Sequence, residues 1–254
     1  MSVLEAKNIK KIYGAQNSEN FTVALDCINL KVEEGEFIGI MGPSGSGKTT
    51  LLNILSGIGK PSHGEVHIAG EEITSLNKNE MALFRRRKLG FVFQEFNLMD
   101  SLTLKENVML PMILDKKDKT EVERKSEEMM KLFGIDHVAN KYPFNVSGGQ
   151  QQRVAISRAL VNDPAIVFAD EPTGNLDSKS SNAVMSFMEK MNNERKRTIL
   201  MVTHDTFAAS FCKKVIFIKD GAINMEIVSN GNRQEFFGEI LDYLAIIGGE
   251  KNDI

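Results

Sequence analysis

Three short apolar runs in this chain each end in polar residues that can handle phosphate or water. Apolar runs of this length, bounded by turn residues, predict strands that are buried on both faces of a sheet covered by helices. In such sheets, ligands bind beyond the carboxyl ends of the strands. The sequence therefore predicts a nucleotide-hydrolysing site where these strands end. The runs and the residues that follow them are 37–41 with 42–49, 165–169 with Asp170 and Glu171, and 198–203 with His204.

The first run leads into a phosphate-binding loop. Residues 42–49 fit the pattern G-x-x-x-x-G-K-[ST], after an expected strand and before an expected helix. The glycines let backbone N–H groups face phosphate oxygens, and the helix N-terminus adds a favourable dipole. We expect Lys48 to reach the β and γ phosphates of ATP and Thr49 to bind Mg²⁺. The residues expected to hold the nucleotide here are Gly42, Pro43, Ser44, Gly45, Ser46, Gly47, Lys48, Thr49 and Thr50.

The second run ends in an acidic pair, Asp170 and Glu171. Adjacent residues on an extended strand point in opposite directions, so one carboxylate can face Mg²⁺ and the other the attacking water. We assign Asp170 to the metal, through water, and Glu171 to the general base. An acidic pair at a strand end is more often a solvated turn, but the phosphate loop favours the catalytic interpretation.

Two further polar residues follow expected strands. His204 alone is typical of an ordinary strand end, but its place after a third buried run favours contact with the γ phosphate. Gln94 follows the apolar run 89–93 and can touch Mg²⁺ or the attacking water. It could equally be a loop amide, so its case is the weaker of the two.

A second anion site is predicted at Ser147, Gly148, Gly149 and Gln150, which precede a helical run. A capping box explains the serine and the glutamine. It does not explain two glycines, each of which costs a helix about 1 kcal/mol relative to alanine. We infer that something approaches this backbone closely. Because helix N-termini bind anions, the site can serve the nucleotide of another chain.

Composition limits the partners of the protein. The 254 residues carry a formal net charge of −3, so we expect no global attraction to nucleic acid or anionic lipid. The dense basic cluster at 85–88 is expected to be a solvated helix face. Cys27 and Cys212 are expected to be buried thiols without a disulfide or zinc site. The sequence shows neither a signal-peptide pattern nor the roughly 20 apolar residues that span a bilayer.

The chain is expected to form one domain over residues 1–254. Residues 1 to about 40 alternate apolar and polar side chains, which predicts antiparallel strands. From about 97 to 160 strand patterns disappear, which predicts a mostly helical subdomain inserted into an α/β core. A helical tail at about 232–250 is expected to pack one face against the body of the protein. That face comprises Phe236, Phe237, Ile240, Leu241, Leu244 and Ile247.

The motifs, in this order, resemble those of an ATP-binding-cassette (ABC) ATPase over essentially the whole chain. The resemblance implies an α/β P-loop NTPase core of the RecA-like type, with an N-terminal antiparallel β-subdomain and an inserted α-helical subdomain. It also implies that Tyr13 stacks on adenine and that Asp177, in the D-loop, contacts nucleotide. The matching motifs are 42–49 (Walker A), Gln94 (Q-loop), 146–150 (signature), 170–171 (Walker B), 175–177 (D-loop) and His204 (switch histidine).

The resemblance further implies partners. Two cassettes pair head to tail as a homodimer, and each ATP lies between the phosphate loop of one copy and the signature of the other. A membrane permease inserts a coupling helix near Gln94 and the helical subdomain. The chain is then a peripheral protein at the cytoplasmic face of the cell membrane, and it needs no membrane segment of its own.

A finer similarity is to ATPases that serve bacitracin and antimicrobial-peptide resistance, and the segment 233–237 carries it. The alternative within the same group is a macrolide-export or lipoprotein-release complex. A soluble ABC ATPase acting on nucleic acid or ribosomes is a further alternative, but it usually has two cassettes or a long coiled-coil insertion. A signalling role, through the permease to a sensor histidine kinase, is compatible with the first hypothesis.

Overall fold

Two β-sheets carry the fold in the computed structural model, which describes residues 1–14 and 21–249. The first sheet is antiparallel and has the strand order β2-β1-β4-β5. Its inner face is apolar, with Leu4 and Ile28 buried, so the predicted N-terminal antiparallel strands are confirmed. The strands are β1 (Ser2–Tyr13), β2 (Thr22–Glu33), β4 (His63–Ile68) and β5 (Glu71–Glu72).

The second sheet has the order β10-β9-β3-β8-β7-β6, and all neighbours pair in parallel except β9 and β10. Every residue of β3 and β8 is buried. Alternate residues of β3 enter different core clusters, with Phe37 and Met41 in one and Ile38 and Ile40 in the other. The prediction of strands buried on both faces is therefore confirmed. The strands are β3 (Phe37–Met41), β6 (Leu89–Val92), β7 (Ile166–Asp170), β8 (Ile199–Val202), β9 (Lys214–Lys219) and β10 (Ala222–Val228).

Eight α-helices accompany the sheets in the described part of the chain. Residues 97–160 contain three of them, two short 3₁₀ turns at Asp136–Val138 and Pro143–Asn145, and no strand. The helix α5 contacts both α3 and β6, so it joins this helical stretch to the sheet. The helices are α1 (Lys48–Leu55), α2 (Lys78–Lys88), α3 (Leu104–Leu114), α4 (Lys119–Leu132), α5 (Gly148–Leu160), α6 (Ser178–Arg195), α7 (Thr206–Ala209) and α8 (Arg233–Gly249).

The tail forms α8, and its buried face differs from the expected one at Leu241. Phe236 and Ile240 are buried, and the Tyr243 ring packs edge-on against Phe217 with centroids 4.6 Å apart. The Leu241 side chain is 44% exposed, because the spacing that buries Phe236 and Ile240 turns the next position outward.

One of the two cysteines also differs from expectation. Cys212 is buried, but Cys27 is exposed, on a strand position with a φ of 56°. In the described ranges 1–14 and 21–249, no helix is long and apolar enough to cross a bilayer.

Candidate active site

The phosphate loop lies between β3 and α1, and its glycines are required by the backbone that surrounds it. A Cβ atom on Gly42 would lie 2.0 Å from the carbonyl oxygen of Ile218. At Gly47, which has a φ of 102°, a Cβ would lie 2.5 Å from the Ala24 carbonyl oxygen. Gly45 has nothing within 4 Å of that position. The loop is therefore packed tightly at its two ends and open at Gly45, where a phosphate can approach.

Lys48 reaches back over the loop. Its ammonium donates hydrogen bonds to the carbonyl oxygens of Gly42 and Pro43, both at 2.8 Å. Burial lowers the pKa of Lys48, and the nearby carboxylates of Glu171 and Asp170 oppose that shift. An ammonium has three N–H donors, so one remains for a phosphate oxygen beyond the two loop bonds.

Ser46 provides a test of whether a nucleotide fits this loop. Its hydroxyl oxygen is buried and has no hydrogen-bond partner among the described residues. Such a group carries a desolvation cost unless it is satisfied. A phosphate oxygen in the loop would satisfy it, so the residues fit a bound nucleotide. Ser44 and Thr49 are exposed at the loop, and Thr50 is half-buried in the first turn of α1.

The acidic pair is arranged differently from the expected strand geometry. Asp170 is the last residue of β7, and burial, followed by the charge of Glu171, raises its pKa against the effect of Lys48. Glu171 has a φ of 46° and has left the extended conformation. The expected alternation along an extended strand therefore does not apply at Glu171, because a left-handed residue follows the end of the strand.

The Glu171 carboxylate is held by the segment that follows β8. Oε1 of Glu171 lies 2.8 Å from Nδ1 of His204 and accepts from the His204 backbone N–H at 3.1 Å. Oε2 accepts from the Thr203 hydroxyl at 3.2 Å. The structure thus joins Glu171 and His204, which sequence reasoning had placed separately, and adds Thr203, which it had missed. A cavity of about 590 Å³ adjoins Glu171 and gives solvent access to it.

Gln94 is linked to the D-loop within the same chain. Its Nε2 donates to Oδ1 of Asn175 at 3.1 Å, and Nδ2 of Asn175 donates to the Gln94 carbonyl oxygen at 3.2 Å. A Cβ atom on Gly174 would lie 2.8 Å from Nε2 of Gln94. The side chain therefore has a defined partner, and Gly174 leaves it the room to reach that partner.

The capping box at Ser147 and Gln150 is present, with Oε1 of Gln150 accepting from the Ser147 N–H at 3.1 Å. The close approach inferred from the glycines comes from the same chain. A Cβ atom on Gly149 would lie 2.8 Å from Oγ of Ser180, whereas one on Gly148 would make ordinary contact with Leu176 at 3.4 Å. Packing against α6 thus gives Gly149 a structural reason within the chain, and nucleotide binding at 147–150 stays a prediction.

Two other expected nucleotide contacts have partners within the chain. Asp177 is the N-cap of α6 and accepts from the Ser180 N–H at 2.9 Å, a backbone hydrogen bond that lowers the pKa of Asp177. Tyr13 is 50% exposed, and its ring lies under the Lys11 ammonium, 5.1 Å from Nζ.

Comparison with known proteins decides the family. A family model described as ABC transporter matches residues 25–174. The chain belongs to the ABC transporter family. This ABC ATPase is 51% identical over 250 residues to YvcR of Bacillus subtilis, an uncharacterized ABC transporter ATP-binding protein, with 98% of this chain and 96% of YvcR aligned. It is 46% identical to the bacitracin export ATP-binding protein BceA of Halalkalibacterium halodurans, over 100% of both chains.

The fold agrees with a solved cassette of the same family. The dimeric post-hydrolysis state of MJ0796, bound to ADP and Pi, matches with a TM-score of 0.81 and 43% identity, over 90% of this ABC ATPase and 100% of that chain. MJ0796 is from Methanocaldococcus jannaschii. Macrolide-export and lipoprotein-releasing proteins are also among the relatives. The P-loop ABC fold and the ATPase activity are thereby established.

A groove beside the Gln94 segment combines apolar and basic side chains. It has a volume of about 390 Å³ and lies between β6 and α3. The basic cluster is not simply a solvated face, because Arg85 and Arg86 donate to the carbonyl oxygens of Gly57 and Leu114. We refer to this feature as the arginine groove; its lining includes Arg85, Arg86, Phe91, Phe93, Leu110, Pro111, Leu114 and Arg158.

Proposed function

We propose that this ATPase powers a membrane permease that exports or detoxifies bacitracin-like antimicrobial peptides, or frees their lipid targets. The observation that carries the proposal is the alignment with BceA, which extends over the full length of both chains and so includes α8. Bound to this permease, the chain would lie at the cytoplasmic face of the cell membrane. ATPases of macrolide-export or lipoprotein-release complexes are the alternative, because such proteins also match.

The site supports hydrolysis of ATP held in the phosphate loop. Lys48 and the Ser46 hydroxyl face the phosphates, while Asp170, Thr49 and Gln94 would hold Mg²⁺. When bound, Mg²⁺ neutralises charge on the phosphate oxygens. Glu171 accepts a proton from the water that attacks the γ phosphorus, and the bond to the ADP oxygen breaks.

His204 completes this arrangement. Its Nδ1 faces Glu171, which leaves Nε2 for a contact with the γ phosphate. The His204 imidazole then lies between Glu171, which accepts the proton, and the γ phosphate, which is transferred.

The proposed homodimer places the signature of one copy on the nucleotide of the other. Among the described residues, no acceptor bonds the backbone N–H groups of Gly148 and Gly149, whereas the N–H of Gln150 is satisfied by Ser147. Two bare N–H groups at the N-terminus of α5 suit an anion. The MJ0796 cassette is dimeric, which supports a dimer of this chain. In this dimer Asp177 lies near the interface, and Tyr13 stacks on adenine.

The arginine groove is the proposed docking site for the permease. The hydrogen bonds of Arg85, Arg86 and Arg158 go to carbonyl oxygens, so their charges are not neutralised by these partners. By contrast, Arg87 forms an ion pair with Asp115 at 2.7 Å. A positively charged apolar groove fits an amphipathic coupling helix that carries a carboxylate. Signalling to a sensor histidine kinase would pass through the same permease.

The experiment is to purify the chain with the permease encoded beside its gene and to measure ATPase activity in lipid. We expect co-purification, and turnover that changes when bacitracin is added. The variant Glu171→Gln should retain ATP, lose about 100-fold or more of its turnover and accumulate as a dimer. Exposed Glu239 on α8 offers a control, Glu239→Gln, which should behave as wild type.

Other outcomes assign the chain differently. Turnover that responds to macrolides or lipoproteins but not to bacitracin would move it to the alternative complexes. Robust ATPase activity without permease association would support a soluble ABC ATPase. Normal hydrolysis by Glu171→Gln would refute the assignment of the general base.

A further inference from the structure

A buried hydroxyl contacts the proposed general base. Thr203 follows β8 directly, and its side chain is fully buried. Its backbone N–H donates to the Ile40 carbonyl oxygen at 3.1 Å, which fixes it to the neighbouring strand β3. Its Oγ1 donates to Oε2 of Glu171 at 3.2 Å and accepts from the Asp205 N–H at 3.0 Å. Thr203 therefore connects the rigid sheet to the Glu171 carboxylate.

The hydrogen-bond count gives this contact a direction. A threonine hydroxyl has one proton to donate. Oγ1 of Thr203 donates that proton to Oε2 of Glu171 and uses a lone pair to accept the Asp205 N–H. Oε2 of Glu171 accepts in this contact, and hydrogen bonds donated to a carboxylate favour its ionised form, which is the form that can take a proton from water.

Two backbone hydrogen bonds also hold Glu171 in place. The Glu171 backbone N–H donates to the Val202 carbonyl oxygen at 2.9 Å, and the His204 backbone N–H donates to the carboxylate. Glu171 sits at a φ of 46°, a conformation that is sparsely populated for non-glycine residues. Such a conformation persists where the surroundings determine it, and the segment from Val202 to His204 does so here.

We propose that Thr203 is a positioning residue for ATP hydrolysis. Its hydroxyl orients the Glu171 carboxylate so that an unused lone pair of that carboxylate meets the attacking water. The inference rests on the proposed role of Glu171 as the base. Thr203 itself acts only through Glu171. Misplacing a reacting group by about 1 Å can cost about 100-fold in rate, so one hydroxyl that orients the base can matter without contacting ATP.

The test compares two substitutions in the full chain. Thr203→Val removes the hydroxyl with little change of shape, and we expect kcat to fall about 10- to 100-fold while KM for ATP stays within about twofold. Thr203→Ser keeps the hydroxyl and should retain most of the activity. Thr203→Ala replaces the valine variant if that variant does not fold, as judged by thermal unfolding. Wild-type kcat in a folded valine or alanine variant would overturn the proposal, as would equal losses in kcat and ATP affinity.

A double variant separates this inference from the assignment of the base. If Thr203 acts through Glu171, adding Thr203→Val to Glu171→Gln should reduce single-turnover hydrolysis no further. An additional tenfold loss would refute a role through Glu171. Normal hydrolysis by Glu171→Gln alone would refute the assignment of Glu171 as the base. An inactive Glu171→Gln together with a fully active Thr203→Val would refute only the role of Thr203.

Discussion

Gln94 and Asn175 exchange hydrogen bonds between the Q-loop and the D-loop, although they are 81 positions apart in sequence. The amide of Gln94 donates to the side chain of Asn175, and the amide of Asn175 donates to the backbone of Gln94. The segment beside the arginine groove is thereby joined to the loop that precedes α6. The bond from Nε2 to Asn175 restrains the Gln94 side chain, and a movement of that side chain toward Mg²⁺ or water would break it, although Oε1 takes no part in the exchange.

The variant Asn175→Ala should therefore raise the basal ATPase rate of the isolated chain. A hydrogen bond contributes about 1 kcal/mol net, so the rate should increase by up to about fivefold. Steady-state phosphate release measures it. Asn193→Ala, at an exposed asparagine of α6, is the control and should leave the rate unchanged. An unchanged or lower rate in Asn175→Ala would show that this bond does not restrain Gln94.

Asp170→Asn should stabilise the nucleotide-free protein at neutral pH. Because burial raises the pKa of Asp170 in the folded state, the folded protein binds this proton more tightly than the unfolded chain does. Keeping the group ionised at pH 7 therefore costs stability, and asparagine removes that cost. The gain should shrink as the pH falls through the raised pKa of the folded state and be absent below about pH 4, the ordinary pKa of aspartate, because both states are then protonated.

Urea unfolding at pH 7 and at lower pH measures this gain. The same variant should lose the protection that ATP with Mg²⁺ gives to the wild type. A variant that is less stable than the wild type at pH 7, or a gain that grows on acidification, would contradict the argument.

The strands and the phosphate loop could be predicted from sequence because their signals are local. The run 37–41 is apolar throughout, and the glycine spacing of 42–49 marks the loop that follows it. The turn at Glu171 could not be predicted in the same way. Its left-handed conformation depends on the approach of Thr203 and His204 from a neighbouring strand.

Packing also supplies a reason for Gly149 that the sequence did not show. From sequence, Gly149 indicated a ligand, because a capping box alone does not require it. The structure shows Ser180 of α6 in the space that a Cβ atom would occupy. No sequence pattern reports that α5 and α6 meet at this point, so this contact could not be predicted from the sequence.

Permease binding should depend on Arg86 more than on its neighbour Arg87. Both arginines lie in the last turn of α2, but only Arg86 lines the arginine groove. Arg86 donates to the Leu114 carbonyl oxygen at 2.7 Å and keeps its charge available, whereas Asp115 neutralises Arg87. Arg86→Gln should weaken association with the permease at least about tenfold, as expected for the loss of one member of an interfacial charge pair.

Arg87→Gln is the matched control, since it removes the same charge from the adjacent position outside the groove. Affinity is measured by titrating each variant against the permease in lipid nanodiscs, and urea unfolding checks that the two variants have similar stability. A permease whose coupling helix carries lysine in place of its acidic residue should bind the wild-type ATPase more weakly. The Arg86→Glu variant should recover part of the affinity for that permease. Equal affinities for Arg86→Gln and Arg87→Gln would place the permease contact elsewhere, because the groove charge would then contribute nothing to docking.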